Sequence, residues 1–173
     1  TISIEKDKTI VEVEGRTVNA RGMHVFLQLT SPDGRKAANN EVRIEHDGKF
    51  YAKFVLRNPQ LWTPETPNLY TLNVWLSDMK NMRRMDSKTM KIGVRTVRVD
   101  REHGFQLNGK TLKLKGVCLH HDLGPLGAAI NKTALIRQIK MMKAMGCNAI
   151  RTSHNMPSTW QMDVCDSLGM MIA

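Results

Sequence analysis

Apolar and polar positions alternate in short runs from the start of the chain to about residue 97. Thr9-Ile10-Val11-Glu12-Val13-Glu14 alternates, and Met23 to Leu29 forms a second such run. Glu41 to Glu45 places Val42 and Ile44 on one face, and Phe50 to Leu56, Tyr70 to Leu76 and Met90 to Val99 follow. A period of two is the mark of a half-buried strand. Ser31-Pro32-Asp33-Gly34 is a turn, and Asp47-Gly48 predicts a hairpin into Phe50 to Leu56. Six or seven short strands with no helical period predict an antiparallel sandwich.

The pattern then changes. Asn58 to Tyr70 holds three of the six prolines and predicts an ordered irregular crossing, with Trp62 and Leu69 as anchors. Phe105 to Leu112 predicts a hairpin whose Asn108-Gly109 pair supplies the two positive φ values of a type I′ turn. Leu112 to Leu119 is a mainly apolar strand. Thr133 to Met145 is a helix, capped by Asn131 or Thr133 and ended by Gly146, with Leu135, Ile139, Met142 and Met145 on one face. Cys147 to Ile150 is a strand. Pro157 opens a second helix with Trp160, Val164 and Leu168 in line, closed by Gly169, and Met170 to Ala173 begins a third strand. Strand–helix alternation at this spacing predicts a parallel sheet. The fold class is therefore multidomain, β then α/β. Residues 1–97 form a sandwich of immunoglobulin-like size, and residues 98–173 form the first β/α units of an incomplete (β/α)8 barrel.

Barrel chemistry sits at the C-terminal ends of strands. Two such ends are polar here, His120-His121-Asp122 and Arg151-Thr152-Ser153-His154-Asn155. The candidate site residues are His120, His121, Asp122, Arg151, His154 and Asn155. From Arg101 onward the acids are Glu102, Asp122, Asp163 and Asp166, and the last two fall on the second helix. Only Asp122 can face the site, so two-carboxylate acid–base chemistry cannot be assembled from these residues. Ser153 lacks a nucleophile-elbow motif. His120, His121 and His154 lack HExxH or similar spacing, so no metal is assigned.

Composition narrows the partners. The 173 residues carry a net charge of +10. The excess is spread through Lys80 to Lys115 with no run of aromatics interleaved with it, Phe105 standing alone, which gives bases no stacking platform and argues against nucleic acid. No apolar run approaches the roughly 18 residues of a membrane span. The N-terminal residues are not a signal peptide and no initiator Met precedes them, so localisation is left open. Cys118, Cys147 and Cys165 show no CxxC spacing and sit among apolar residues, so buried free thiols are expected. Open strand edges of an incomplete barrel predict self-association.

At these motifs the chain resembles glycoside hydrolase family 2, and most closely its bacterial β-galactosidases. The resemblance is carried by Asn58-Pro-Gln-Leu-Trp-Thr-Pro-Glu-Thr-Pro-Asn-Leu-Tyr70, Gly93-Val-Arg95, Phe105-Gln-Leu-Asn-Gly-Lys110, Lys115-Gly-Val-Cys-Leu-His-His-Asp122, Asn148-Ala-Ile-Arg-Thr-Ser-His154 and Cys165-Asp-Ser-Leu-Gly169. It implies an immunoglobulin-like domain followed by the start of a TIM barrel, as a fragment of a longer parent. It implies hydrolysis of terminal β-galactosides with retention, by two glutamates roughly 5 Å apart that lie outside these residues, so this chain alone is expected to be inactive. It further implies that Arg151 orients the nucleophilic carboxylate, and that His120 and His154 hydrogen-bond the sugar. His121, Asp122 and Asn155 match more loosely. Met156 departs from the family's Asn-Pro-Pro loop. No cofactor is implied for these residues, and a divalent cation stays open for the parent. Within the family, β-glucuronidase and β-mannosidase are alternatives; outside it, a non-catalytic sandwich that binds carbohydrate or protein is another.

Overall fold

The computed structural model describes residues 1–5 and 8–173. The chain divides into two compact units: Thr1–Gln60 with Leu69–Thr96, and Leu61–Asn68 with Val97–Ala173.

The first unit is a sandwich of two antiparallel sheets. One sheet has the order β1–β2–β5, from β1 (Ile2–Glu5), β2 (Lys8–Arg16) and β5 (Lys49–Arg57). The other has the order β4–β3–β6–β7, from β3 (His24–Thr30), β4 (Lys36–Arg43), β6 (Leu69–Asp78) and β7 (Arg83–Gly93). The alternation seen in the sequence is the alternation of burial. Val11, Val25, Leu27, Leu29, Ala52, Phe54, Leu56, Tyr70 and Leu72 point into the core between the sheets. Burial of these side chains drives this unit's folding, at roughly 1.5–3 kcal/mol for each large aliphatic or aromatic group.

Three expectations for this half are corrected. Asp47-Gly48 does not close a hairpin, because β4 pairs with β3 while β5 pairs with β2. The turn instead carries the chain from one sheet to the other, and Thr17 at the end of β2 ties it down: its N–H and hydroxyl both donate to the Gly48 carbonyl, at 2.8 and 3.0 Å. The run Met90 to Val99 is not one strand. It breaks after Gly93, where Val94 drops into the core, and Val97–Asp100 pairs in a different sheet of the second unit. Basic and aromatic groups also do meet. The Arg84 guanidinium lies 5.1 Å from the Trp75 ring centre, and Trp75 stacks on Phe26 across the β3–β6 pair at 5.6 Å.

The second unit opens with a small antiparallel sheet of order β10–β9–β8, from β8 (Val97–Asp100), β9 (Gly104–Leu107) and β10 (Lys110–Thr111). Asn108 and Gly109 have φ of 52° and 75°, as a type I′ turn requires. A parallel sheet follows, of order β11–β12–β13, from β11 (Gly116–Leu119), β12 (Ala149–Thr152) and β13 (Met171–Ile172). The β11 strand is shorter than the run that predicted it.

Helix α1 (Lys132–Ala144) joins β11 to β12, and α2 (Thr159–Leu168) joins β12 to β13. The Asn131 side chain accepts from the Ala134 N–H and caps α1, and Ser158 does the same for α2 through Gln161. Ile139, Met142, Ile150, Val164, Cys165 and Met170 form the core between helices and sheet. Met145 and Trp160, expected on the buried faces, are 69% and 49% exposed. Met145 is the C-cap of α1, and Trp160 is the second residue of α2; each lies beyond the reach of the shared core.

The proline-rich segment 61–68 packs within this second unit. Trp62 is fully buried and its indole N–H donates to the Asp166 carbonyl at 2.8 Å. The Asn108 side chain donates to the Trp62 carbonyl at 3.0 Å. Lys143 Nζ donates to the carbonyls of Pro64 at 2.6 Å and Gly169 at 3.0 Å. The segment is thus a strap bound to the ends of both helices.

Candidate active site

The parallel strands sort their side chains by face. Val117, Leu119, Ile150 and Ile172 belong to the helix-side core. The residues between them, Cys118 on β11 and Arg151 on β12, emerge on the opposite face and are exposed. They are direct register partners. Beyond the strand ends the pairing continues for one more step, because Ser153 N–H donates to the Leu119 carbonyl at 2.8 Å.

This brings His120 and His154 together just beyond the strand that carries Arg151. The His120 and His154 rings stand edge to face, with centres 6.2 Å apart. Arg151 Nη1 donates to the Ser153 hydroxyl at 3.3 Å. His120, Arg151 and His154 are all exposed, whereas Ser153 is only 4% exposed. One fixed positive charge and two imidazoles therefore share one end of the parallel sheet.

His121 and Asp122 go elsewhere. His121 adopts φ 54°, and the chain turns away. The Asp122 carboxylate accepts from the Gly124 N–H at 2.7 Å, and its carbonyl accepts from Gln138 at 3.2 Å. Both residues line a cavity of about 40 Å³ with Gln138, Thr152 and Gln161. Asn155 lies exposed on the loop after β12. The six candidates thus separate into a cluster of three, a cavity-lining pair and a lone loop residue.

Sequence reasoning missed Cys118. It was expected to be buried, yet it is exposed beside Arg151, Cys147 is half-buried, and Cys165 alone is buried. Strict alternation along Val117-Cys118-Leu119 was the available signal. The Ser153 hydroxyl, and then the Arg151 side chain, hold the Cys118 thiol below its ordinary pKa. Burial pushes the Cys165 thiol up to about 12. A prediction follows for alkylation by iodoacetamide at pH 8, with each cysteine resolved by mass spectrometry. Cys118 reacts first and Cys165 only on unfolding, and Ser153→Ala or Arg151→Ala slows Cys118 severalfold. Equal rates at Cys118 and Cys165 in the folded protein would refute it.

Among the described residues no three His, Cys, Asp or Glu side chains gather into a metal-binding group. No carboxylate belongs to the His120–Arg151–His154 cluster. Its chemistry is binding and orientation: a cation for an anionic group, and imidazoles for hydroxyls.

A β-sandwich followed by parallel β/α units with a polar cluster at the strand ends is a multidomain architecture, β then α/β. Sequence comparison makes the class specific. The profile described as "Glycosyl hydrolases family 2" matches residues 2–95, and that described as "Glycosyl hydrolases family 2, TIM barrel domain" matches residues 97–173. The chain belongs to glycosyl hydrolase family 2. Beta-galactosidase BoGH2A of Bacteroides ovatus is 37% identical over 99% of the chain, and a putative beta-glucuronidase of Formosa agariphila is 36% identical over 99%. The chain spans 21% and 16% of those relatives' lengths. Among solved structures, a family 2 glycosyl hydrolase from Bacteroides cellulosilyticus matches 99% of the chain and 25% of its own, with a TM-score of 0.88 and 34% identity. Parabacteroides merdae beta-glucuronidase matches 99% of the chain and 22% of its own, also at a TM-score of 0.88, with 27% identity.

Proposed function

We propose that this chain supplies the immunoglobulin-like domain and the first barrel strands of a retaining exo-β-glycosidase acting on terminal β-galactosides. The observation that carries the reading is the convergence of His120, Arg151 and His154 at the C-terminal ends of β11 and β12, in a chain of this family. In this reading Arg151 orients the nucleophilic carboxylate and keeps it ionised. His120 and His154 hydrogen-bond the sugar, and those bonds help catalysis to the extent that they strengthen in the transition state. The acid and the nucleophile are glutamates outside residues 1–173. Asp122, His121 and Asn155 support the loops around the pocket rather than the sugar. The partner is a β-galactoside or a related carbohydrate.

A second reading, β-glucuronidase, is favoured by the beta-glucuronidase names among the relatives and solved structures. Nitrophenyl β-galactoside and β-glucuronide, offered to the 173-residue chain and to a protein that extends it through the two glutamates, separate the readings. The short chain is expected to hydrolyse neither, and the long one to prefer the galactoside. Turnover by the short chain that Arg151→Ala abolishes would overturn the assignment of the carboxylates. Preference of the long chain for the glucuronide would replace galactose by glucuronic acid. Silence of both, with calorimetric binding of galactose or oligosaccharide by residues 1–97, would favour a non-catalytic module.

A further inference from the structure

We propose that Ser153 and Cys118 are positioning residues for Arg151, holding its guanidinium on the face of the β11–β12 pair where the sugar's reacting end is to lie. The inference rests on the glycosidase reading for its purpose, but not for its geometry.

An exposed arginine ordinarily samples many rotamers. A guanidinium that must present two N–H groups to a carboxylate gains from being held before the substrate arrives, because an orientation already fixed needs no reorganisation during reaction. Ser153 is built to do this. Its backbone is pinned by the N–H donated to Leu119. Its side chain is almost wholly removed from solvent, and its hydroxyl accepts from Arg151 Nη1 at 3.3 Å. A serine hydroxyl that accepts one bond still has a proton to give. The Cys118 sulfur stands beside it as a candidate acceptor, in keeping with Ser153 and then Arg151 holding that thiol below its ordinary range.

Cys118 is placed for this by register. It is the direct partner of Arg151 across the parallel pair, so their side chains rise side by side on the same face. Arg151 donates to Ser153, and in this proposal the Ser153 proton turns towards the neighbouring Cys118 sulfur, so that sulfur, hydroxyl and guanidinium act as one chain. His120 and His154, beyond the strand ends, complete the rim.

The test reads the guanidinium itself. In the full 173-residue chain, rotation of the Arg151 Nη groups about the Nε–Cζ bond is measured by side-chain nitrogen NMR, with exposed Arg137 as the internal reference. Wild type is expected to rotate more slowly at Arg151 than at Arg137. Losing a hydrogen bond to a charged group is expected to speed Arg151 by roughly tenfold in Ser153→Ala. Cys118→Ala is expected to speed it by less, and Cys118→Ser, which keeps an acceptor, to restore it. Unchanged rotation in both Ser153→Ala and Cys118→Ala overturns the proposal; loss of restraint in only one of them overturns the role of the other. Because Ser153 is buried, a folding failure in Ser153→Ala is met by Arg151→Lys. That change must return the Cys118 alkylation profile part of the way towards an ordinary thiol, and an unchanged profile would count against the proposal. Restraint at Arg151 together with no glycosidase activity in the extended protein would retain the positioning and discard the function.

Discussion

Trp62→Ala is expected to lower the stability of the second unit by about 3–5 kcal/mol, the usual loss for truncating a fully buried large aromatic. The residue is 0% exposed, and its neighbours cannot collapse freely into the space. Prolines at 64 and 67 stiffen the strap, and an isolated bridge joins Trp62 to Pro67. The indole also has a polar duty. Asp166 lies in the last turn of α2, where helix carbonyls have no partner within the helix. The Gly169 and Met170 N–H groups serve the Cys165 carbonyl, and the Trp62 indole serves that of Asp166. Trp62→Phe separates the two contributions. It keeps most of the apolar area and removes the donor, so a loss of about 1–3 kcal/mol is expected. Both helices among the described residues belong to the second unit. Ellipticity at 222 nm during urea unfolding therefore reports on that unit. A midpoint for Trp62→Ala equal to wild type would mean that the strap does not support the helices.

How far the sequence was legible depends on how local each signal is. The burial alternation of β3, β5 and β6 is a property of a single strand, and it is visible in Met23–Leu29, Phe50–Leu56 and Tyr70–Leu76. The caps at Asn131 and Ser158 follow equally short rules, although Pro157 rather than Ser158 was taken as the opening of α2. Strand partners are not local. An Asp-Gly turn reads as a hairpin unless the neighbouring sheet is known, and the tie from Thr17 to Gly48 spans 31 residues. The strap shows the same limit at longer range, since the donor at Trp62 and its acceptor at Asp166 are 104 residues apart. At the candidate site, polarity after a strand marked six residues. Polarity does not say which way a side chain turns, and the positive φ of His121 sends it and Asp122 away from Arg151. Cys118 was missed for the opposite reason: an apolar-looking residue within an apolar strand was counted as core, although alternation sets it on the exposed face with Arg151.

Gly169→Ala is expected to destabilise the second unit by about 2–5 kcal/mol, and Gly146→Ala by only about 1–2 kcal/mol, although both glycines end a helix at positive φ. Gly146 has φ +90° with open space where a Cβ would stand, so alanine there meets only the intrinsic cost of the left-handed region. Gly169 has φ +74°, and its Cβ would lie 2.2 Å from the Pro64 carbonyl oxygen and 3.0 Å from Lys143 Nζ. The nearer obstacle is backbone, held by a proline, and cannot swing aside. Either the strap lifts or Gly169 shifts, and a shift carries Met170 and β13 with it, since Met171 pairs with Ala149. In both cases the half-buried Lys143 ammonium loses its hydrogen bonds to the carbonyls of Pro64 and Gly169. The strap's share can then be isolated with Lys143→Met. In the wild-type background this change removes both bonds; after Gly169→Ala the bonds are already broken, and it should cost much less. Non-additivity of that kind, absent when Gly146→Ala replaces Gly169→Ala, is the signature of one cluster formed by Pro64, Lys143 and Gly169. Additive losses in both pairs would mean that the three groups act separately and that Gly169 is required for its conformation alone.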